Sequence, residues 1–445
     1  MIKLPEKVKV ILEILKTNGF EGYVVGGCVR DSILGLNPND WDITTNANPQ
    51  QIQEIFKDYK IVYNNGLKHG TVPVMIDNEI FEITTYRVDS EYFDHRHPLS
   101  VTYTKSLKED LKRRDFTINA MAYDGNKVID FFGGISDLKN KTIKCVGDAT
   151  SRFNEDALRI LRALRFSSKL GFIIESKTEQ AMFSSKELLS CISHERIREE
   201  FNGILLGRNA RNVLDKYRQI ISYFIPEIEA CFDFKQNNPY HKHDVFNHIL
   251  DVVDKTPLDL ITRLSAFFHD IGKPETYSEE VIGNEIRGHF YGHCNISANM
   301  VQNIMTRLCY PSKMIDDVCF IVKNHELTIT PTEKSIKKLL NKNPNIDTIK
   351  HLIDLKNADR LSHLFDNKTI DFEEIKSIID AIVKKQECFS LKNLKINGYD
   401  LIDLGLKGKE IGDMLDALLN EVLEEKIENE KSSLINRVKS IIDSK

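Results

Sequence analysis

Two carboxylates set two residues apart, Asp40 and Asp42, end the run GYVVGGCVRDSILGLNPNDWDITT between Gly22 and Thr45, after an apolar segment, a glycine pair and a short stretch carrying Arg30 and Asp31. In an extended strand alternate side chains share a face, so Asp40 and Asp42 are expected side by side with Trp41 turned away. Carboxylates held that close repel each other unless a divalent cation sits between them. Mg²⁺ held by one or two carboxylates plus substrate phosphates is the usual arrangement at phosphoryl-transfer sites. Gly26 and Gly27 let the backbone approach a ligand, and the helix that follows offers N–H groups to a triphosphate. An acidic pair in a turn near Asn37, Pro38 and Asn39 is the bland reading of the DxD alone. The Gly-Gly helix start at this spacing shifts the balance to nucleotidyl transfer.

Other elements must position these groups. Pro49 to Phe56 reads as a short helix, and HGTVPVMI and EIFEITTYR read as strands joined near Asp77 and Asn78. Glu82 and Thr84 share a face of the second strand, which makes Glu82 a third carboxylate for the cation or a solvated strand residue. Val88 to Val101 mixes charge, aromatics and a proline, as a loop does. Arg113, Arg114 and Asn119 supply donors for phosphate oxygens and a ribose, or else form a solvated basic turn. Asp130 to Gly134 reads as a structural strand and turn. From Ser151 to Gly171 the leucines 158, 161 and 164 alternate with the arginines 159, 162 and 165, the pattern of one long amphipathic helix. Asp156 and Arg159 then face the same way. They form an ion pair worth about a few tenths of a kcal/mol, or they read a base. A carboxylate accepts from the exocyclic amine of C or A while a guanidinium donates to the ring, and G or U opposes both.

With 445 residues the chain is expected to form two or more domains. Val8, Ile11, Leu12 and Leu15 mark an amphipathic N-terminal helix, with no secretory or membrane-spanning segment in the sequence. Eight cysteines without CxxC pairing fit reduced thiols in a cytoplasm. A net charge of -5 offers no global attraction to nucleic acid, so RNA contact must come from local basic patches.

GGCVRDSILGLNPNDWDITT resembles the opening motif of the class II nucleotidyltransferase superfamily, which holds the CCA-adding tRNA nucleotidyltransferases and bacterial poly(A) polymerases. GLKHGTVPV followed by FEITTYR is similar to the CCA-adding branch, with the third acidic residue at Glu82 and without the arginine-rich GRRF-type sequence of the polymerases. RRDFTINAM resembles the RRDxTxNA motif, and GDATSRFNEDALRILRALRF the EDxxR neck motif, with Glu155, Asp156 and Arg159 in place. SHERIREEFNGILL resembles the segment that closes the neck. The resemblance implies that Asp40, Asp42 and Glu82 position Mg²⁺, and that Gly26, Gly27 and Arg30 cradle a triphosphate. It implies further that Arg113, Arg114, Asp115 and Asn119 hold the sugar and phosphates, and that Asp156 and Arg159, beside Arg162, select CTP and ATP for addition to tRNA. The 88 to 101 loop resembles the one that helps the site switch from C to A. Its full length argues against C-only addition and leaves A-only addition as an alternative.

Further along, His248, His269, Asp270, His293, His325 and Asp359 recur in apolar helical surroundings. Each alone is most simply a core residue; the set resembles the HD superfamily of metal-dependent phosphohydrolases. There the first His, the HD pair and the last Asp hold one divalent metal, and His293 and His325 stand where a second is held. Imidazole with carboxylate suits a divalent transition metal, with Mg²⁺ also open, and metal-bound water would attack a phosphomonoester or a 2′,3′-cyclic phosphate. KSIKKLLNKNPN reads as a basic face, and the end of the chain resembles the tail of CCA-adding enzymes, with a glycine-rich link around Gly405, Gly408 and Gly412. The expected architecture is α+β: a transferase head with a small mixed sheet (1–145), a helical neck (146–232), an HD-type helical body (233–385) and a helical, tRNA-binding tail (386–445). An HD phosphohydrolase with a vestigial head is the alternative from another class.

Overall fold

Helix α1 (Glu6–Thr17) buries Val8, Ile11 and Leu15, the stripe its periodicity marks out, and leads into the sheet that carries the DxD stretch. The computed structural model describes residues 2–62, 70–89, 101–238, 243–283, 285–363 and 371–443. The chain divides into two units, 1–226 and 227–445, so the expected head and most of the expected neck fall in the first, and the last residues of the neck, the expected body and the tail in the second.

In the first unit β1 (Gly22–Val25) runs into α2 (Gly27–Ile33), then β2 (Asp42–Thr45) and α3 (Pro49–Ile55). Strands β3 (Lys60–Ile61), β4 (Thr71–Ile76) and β5 (Glu79–Thr85) follow, then β6 (Arg87–Asp89), β7 (Val101–Tyr103), α4 (Leu107–Lys112), β8 (Met121–Tyr123), β9 (Val128–Asp130) and α5 (Gly134–Lys139). Seven strands form one mixed sheet in the order β3-β4-β5-β2-β1-β8-β9, with β2 and β5 parallel and the other pairs antiparallel. Asp77 and Asn78 both take positive φ, 46° and 64°, the two-residue hairpin turn that matches strand twist. Asp130 closes the far edge: its carboxylate accepts from the backbone N–H groups of Phe132, Gly133, Gly134 and Ile135. A Cβ on Gly134 would stand 2.3 Å from the Thr117 carbonyl oxygen, so glycine is required where this turn meets the 3-10 turn Thr117–Asn119. Residues 90–100 of the expected 88 to 101 loop lie outside the described residues.

The rest of the first unit is mainly helical: α6 (Ala149–Glu155), α7 (Leu158–Leu170), α8 (Ser176–Ser184), α9 (His194–Leu205), α10 (Ala210–Lys216) and α11 (Arg218–Phe224), with a short parallel pair β10 (Thr142–Ile143) and β11 (Ile173–Ile174). The single helix expected over 151 to 171 is instead two. Asp156 takes an extended conformation, φ -141° and ψ 101°, and its carboxylate accepts from Leu158 N–H at 3.2 Å. Aspartate favours such a side-chain-to-backbone bond over helix continuation, so the chain breaks there and restarts.

The second unit contains α12 (Val245–Lys255), α13 (Leu260–Phe268), a hairpin of β12 (Ser278–Ile282) and β13 (Glu285–His289), α14 (His293–Arg307), α15 (Ser312–Asn324), α16 (Glu333–Lys342), α17 (Ile346–Arg360) and α18 (Phe372–Lys384). The hairpin is an addition to the helical body. Lysines of α16 do not form a free basic face: Lys334 and Lys338 both pair with Glu424, and Lys337 with Glu387 at 2.5 Å. The tail, α19 (Gly398–Asp403), α20 (Lys409–Leu423) and α21 (Lys431–Asp443), has its own apolar cluster around Leu401, Leu418 and Leu434. Gly405 and Gly408 take positive φ before α20, whereas Gly412 lies inside it and not in the link. No helix among the described residues is long and apolar enough to cross a membrane.

Candidate active site and a second, histidine-rich centre

Strand β2 begins at Asp42, paired with Val25 of β1. Ile43 lies opposite Ile83 in the parallel β2–β5 pair, and one step back along that register Asp42 falls beside Glu82. Asp40 precedes the strand, contrary to the shared-strand expectation, because ladder pairing starts only at Asp42 after the Pro38-Asn39 bend. Its charge is still felt. Partial desolvation raises the Asp42 carboxyl, Arg114 opposes the shift and Asp40 adds to it; Glu82 is raised by desolvation, then by Asp42 and Asp40. All three carboxylates remain exposed. Mutually repelling, solvent-facing oxygen donors of this kind suit a hard cation.

Behind them lies a cavity of about 430 Å³ lined by seven arginines and three aspartates, along with Gly26, Gly27, Asn119, Leu158 and Phe166. Gly26 sits at φ +81°, and a Cβ there would stand 3.1 Å from Arg114 Nη1, so glycine keeps this approach open. Arg30 is buried at 5% exposure and donates to Asn119 Oδ1 at 2.7 Å and to Asp31 at 2.8 Å. Asn119 in turn donates to Asp115, which also accepts two bonds from Arg162 at 2.8 and 2.6 Å. Burial disfavours the Asp115 charge, but Arg162 and these hydrogen bonds outweigh it and hold the carboxyl down at about 2. Arg113 donates twice to the fully buried Asp110, whose other oxygen faces Arg114 at 3.6 Å. The guanidiniums of Arg30, Arg162 and Arg165 gather around the Phe166 ring at 5.0, 5.5 and 4.6 Å. Two buried donors of the cavity, Arg114 Nε and Arg196 Nη1, have no hydrogen-bond partner among the described residues.

Asp156 and Arg159 both line the cavity but are not paired with each other. Arg196 of α9 donates to Asp156 at 3.1 and 3.3 Å. Arg159 donates to Glu155 at 2.6 Å and to the Arg113 carbonyl at 3.0 Å. The helix break separates the two, so the intrahelical ion pair considered from spacing is absent. Asp110, Phe166 and Arg196 were not among the expected site residues. Asp110 was legible as an acid three and four residues ahead of Arg113 and Arg114; Arg196 had only its place in the neck-closing segment as a signal.

The second centre lies wholly in the second unit. His248 comes from α12, His269 and Asp270 from just beyond α13, His293 from the start of α14, His325 from just beyond α15 and Asp359 from α17. All except Asp359 have side chains at most 3% exposed. Asp270 stands between two pairs: its Oδ2 lies 3.4 and 3.1 Å from Nε2 of His248 and His269, and its Oδ1 lies 3.2 and 3.6 Å from Nε2 of His293 and His325. Asp359 Oδ1 lies 3.1 Å from His248 and 3.2 Å from His363. The Nδ1 atoms of His269, His293 and His325 sit 2.7 to 2.8 Å from the carbonyls of Ala266, Phe290 and Val322. Such bonds fix the Nδ1–H tautomer and turn an Nε2 lone pair inward, as metal-ligating histidines require. Among the described residues neither Asp270 oxygen nor Asp359 Oδ1, all buried, has a hydrogen-bond partner of good geometry, although Lys273 Nζ forms an ion pair with Asp270 Oδ2. Burial pushes His248 down to about 4. At His293 and His325 burial works the same way but is overcome by Asp270 and Cys294, which lift them to about 11 and about 10. This cage attracts positive charge. Lys273, 2.7 Å from Asp270, and His363, Cys294 and Glu326 are further neighbours that spacing alone gave no reason to single out.

Three family models match: the poly A polymerase head domain over residues 22–144, the probable RNA and SrmB-binding site of polymerase A over 171–232, and a putative tRNA nucleotidyltransferase domain 2 over 289–438. A CCA-adding enzyme of Lactobacillus helveticus is 49% identical over 213 residues, which is 47% of this chain and 53% of the relative, so the alignment spans about half of each. The chain is also similar in structure to the Bacillus stearothermophilus CCA-adding enzyme in complex with CTP, with a TM-score of 0.73 at 26% identity over 99% of this chain and 98% of that one. A CCA-adding enzyme of Ligilactobacillus salivarius is 34% identical over 447 residues, 99% of this chain and 97% of the relative, and on that full-length match the chain belongs to the CCA-adding enzyme family.

Proposed function

We propose that the chain adds C, C and A to tRNA 3′ ends from CTP and ATP without a nucleic-acid template. The observation that carries this reading is one cavity shared by the glycine pair, Asp42, the arginine set and the Asp156 and Arg159 side chains, so groups suited to phosphates and to a base line the same space. Asp40, Asp42 and Glu82 offer only hard oxygen donors, which fits Mg²⁺. Held by these carboxylates, Mg²⁺ would supply a lowered pKa for the tRNA 3′-hydroxyl and neutralisation of phosphate charge. The protein's own part is to hold and select the nucleotide. Gly26 and Gly27 leave room for the triphosphate, and the unpartnered Arg114 Nε and Arg196 Nη1 donate to its oxygens. The 3′-hydroxyl gives up its proton to solvent, its oxygen bonds to the α-phosphorus, the bond from that phosphorus to the bridging oxygen breaks, and pyrophosphate leaves. Asp156 accepts from the exocyclic amine of C or A and Arg159 donates to the ring; G and U set acceptor against acceptor and donor against donor, at a cost of about 1–3 kcal/mol each.

For the second centre we propose an HD-type site in which His248, His269, Asp270 and Asp359 hold one divalent metal, with His293 and His325 toward a second. The unsatisfied oxygens of Asp270 and Asp359 and the inward Nε2 atoms support it. When bound, the metal supplies an activated water for a phosphomonoester or a 2′,3′-cyclic phosphate. The transfer reading is tested by incubating the protein with Mg²⁺ and labelled CTP or ATP on tRNA transcripts ending before CCA, after C and after CC. Addition of C to the first two and A to the last is expected. Addition of A alone would make it a partial enzyme, and no addition would shift the weight to the second centre.

A further inference from the structure

Cys294 Sγ lies 3.7 Å from His293 Nε2 and 3.4 Å from Glu326 Oε2, while the Nε2 atoms of His293 and His325 approach to 3.3 Å and Glu326 Oε1 stands 3.8 Å from His293 Nε2. With Zn–N near 2.05 Å, Zn–S near 2.3 Å and Zn–O near 2.1 Å, the edges of a tetrahedral zinc site are about 3.3 Å for N···N, about 3.4 Å for N···O and about 3.6 Å for S···N and S···O. The His293–His325 and His293–Cys294 separations stand near those edges, and one ligand atom from each of the four side chains lies within 4.8 Å of the other three. Two imidazole lone pairs facing each other at 3.3 Å also repel unless a proton or a cation lies between them.

We propose that His293, Cys294, His325 and Glu326 form a thiolate-containing, four-coordinate transition-metal site, zinc foremost, in one half of the second centre. The proposal rests on reading that centre as a metal site and goes beyond it. The half built from His248, His269, Asp270 and Asp359 offers only nitrogen and oxygen, whereas a sulfur donor in the other half excludes Mg²⁺ and Ca²⁺ and favours zinc. Cys294 is 9% exposed, among buried histidines. Glu326 is 63% exposed at its side chain and is the outermost donor, placed to swing away and open a coordination position, as catalytic zinc sites keep one.

The full chain, stripped of metal by a chelator, is titrated with Co²⁺ and, separately, with Zn²⁺. Co²⁺ is expected to give the near-ultraviolet thiolate-to-cobalt charge-transfer band and the strong visible bands of tetrahedral cobalt. Cys294→Ala and Cys294→Ser should lose the charge-transfer band and bind one zinc ion fewer per chain, with circular dichroism confirming the fold. Asp359→Asn should keep the band while weakening the other half. Glu326→Gln should keep the band and loosen zinc by roughly tenfold. Wild-type protein that binds Co²⁺ without the band, or a Cys294→Ala chain that binds zinc as tightly and in equal number, overturns the thiolate site alone. A wild-type chain that binds neither metal overturns the metal-site reading as well.

Discussion

The two centres hold charge in opposite ways. At Asp40, Asp42 and Glu82 the acids face solvent, and partial desolvation followed by neighbouring carboxylate charge raises the Asp42 and Glu82 carboxyls; around Asp270 the acid is sealed in, flanked by four imidazoles and held well below the usual carboxylate range. Open oxygen donors suit a weakly held hard ion that arrives and departs with a nucleotide's phosphates. A buried nitrogen-rich cage suits a resident borderline metal, because Lys273 reaches only one oxygen of the buried Asp270 carboxylate and imidazole with carboxylate is a donor set such metals take.

Breaking either side should leave the other standing. Asp42→Ala is expected to cut nucleotide addition on the order of 10³-fold or more, measured by extension of a tRNA transcript, with zinc content by mass spectrometry unchanged. Asp270→Asn should lower transition-metal affinity on the order of 100-fold or more while addition continues; loss of both properties in each variant would refute the separation of the centres. Asp156→Ala should narrow the preference for CTP and ATP over GTP and UTP by roughly 10- to 100-fold, read from competing-nucleotide kinetics.

The smallest effect sharpens the contrast within the first unit. Asp115 is held at about 2 against an ordinary 3.8, a depressed carboxyl, so its contribution is present above the ordinary value and lost as pH falls toward the native one. Asp115→Asn should therefore reduce stability by about 2 kcal/mol near neutrality, and the gap from wild type should close between about pH 4 and 2 in urea titrations.

Short-range signals carried much of this. The glycine pair, the DxD stretch and the arginine repeat of α7 could be read from spacing, because neighbours along strands and helices are fixed by local geometry. Spacing could not show that Asp156 interrupts its helix, since a local hydrogen bond to Leu158 N–H competes with the amphipathic pattern. Nor could it pair Asp156 with Arg196, 40 residues away, or show that the α16 lysines are neutralised by Glu424 and Glu387. The histidine set was legible through its family resemblance. That Cys294 joins it depends on how α14 begins, with His293 as its first residue.

The arginine lining of the cavity has a kinetic side. A chain of net charge -5 repels polyanions at long range, and the seven guanidiniums of the recess are largely matched by Asp31, Asp110, Asp115, Glu155, Asp156 and Glu200, so their pull on a triphosphate is confined to short range. Diffusing nucleotides are drawn in over distances comparable to the Debye length, about 8 Å at physiological ionic strength. Added salt should therefore slow capture well before it disturbs the chemistry of a nucleotide already seated.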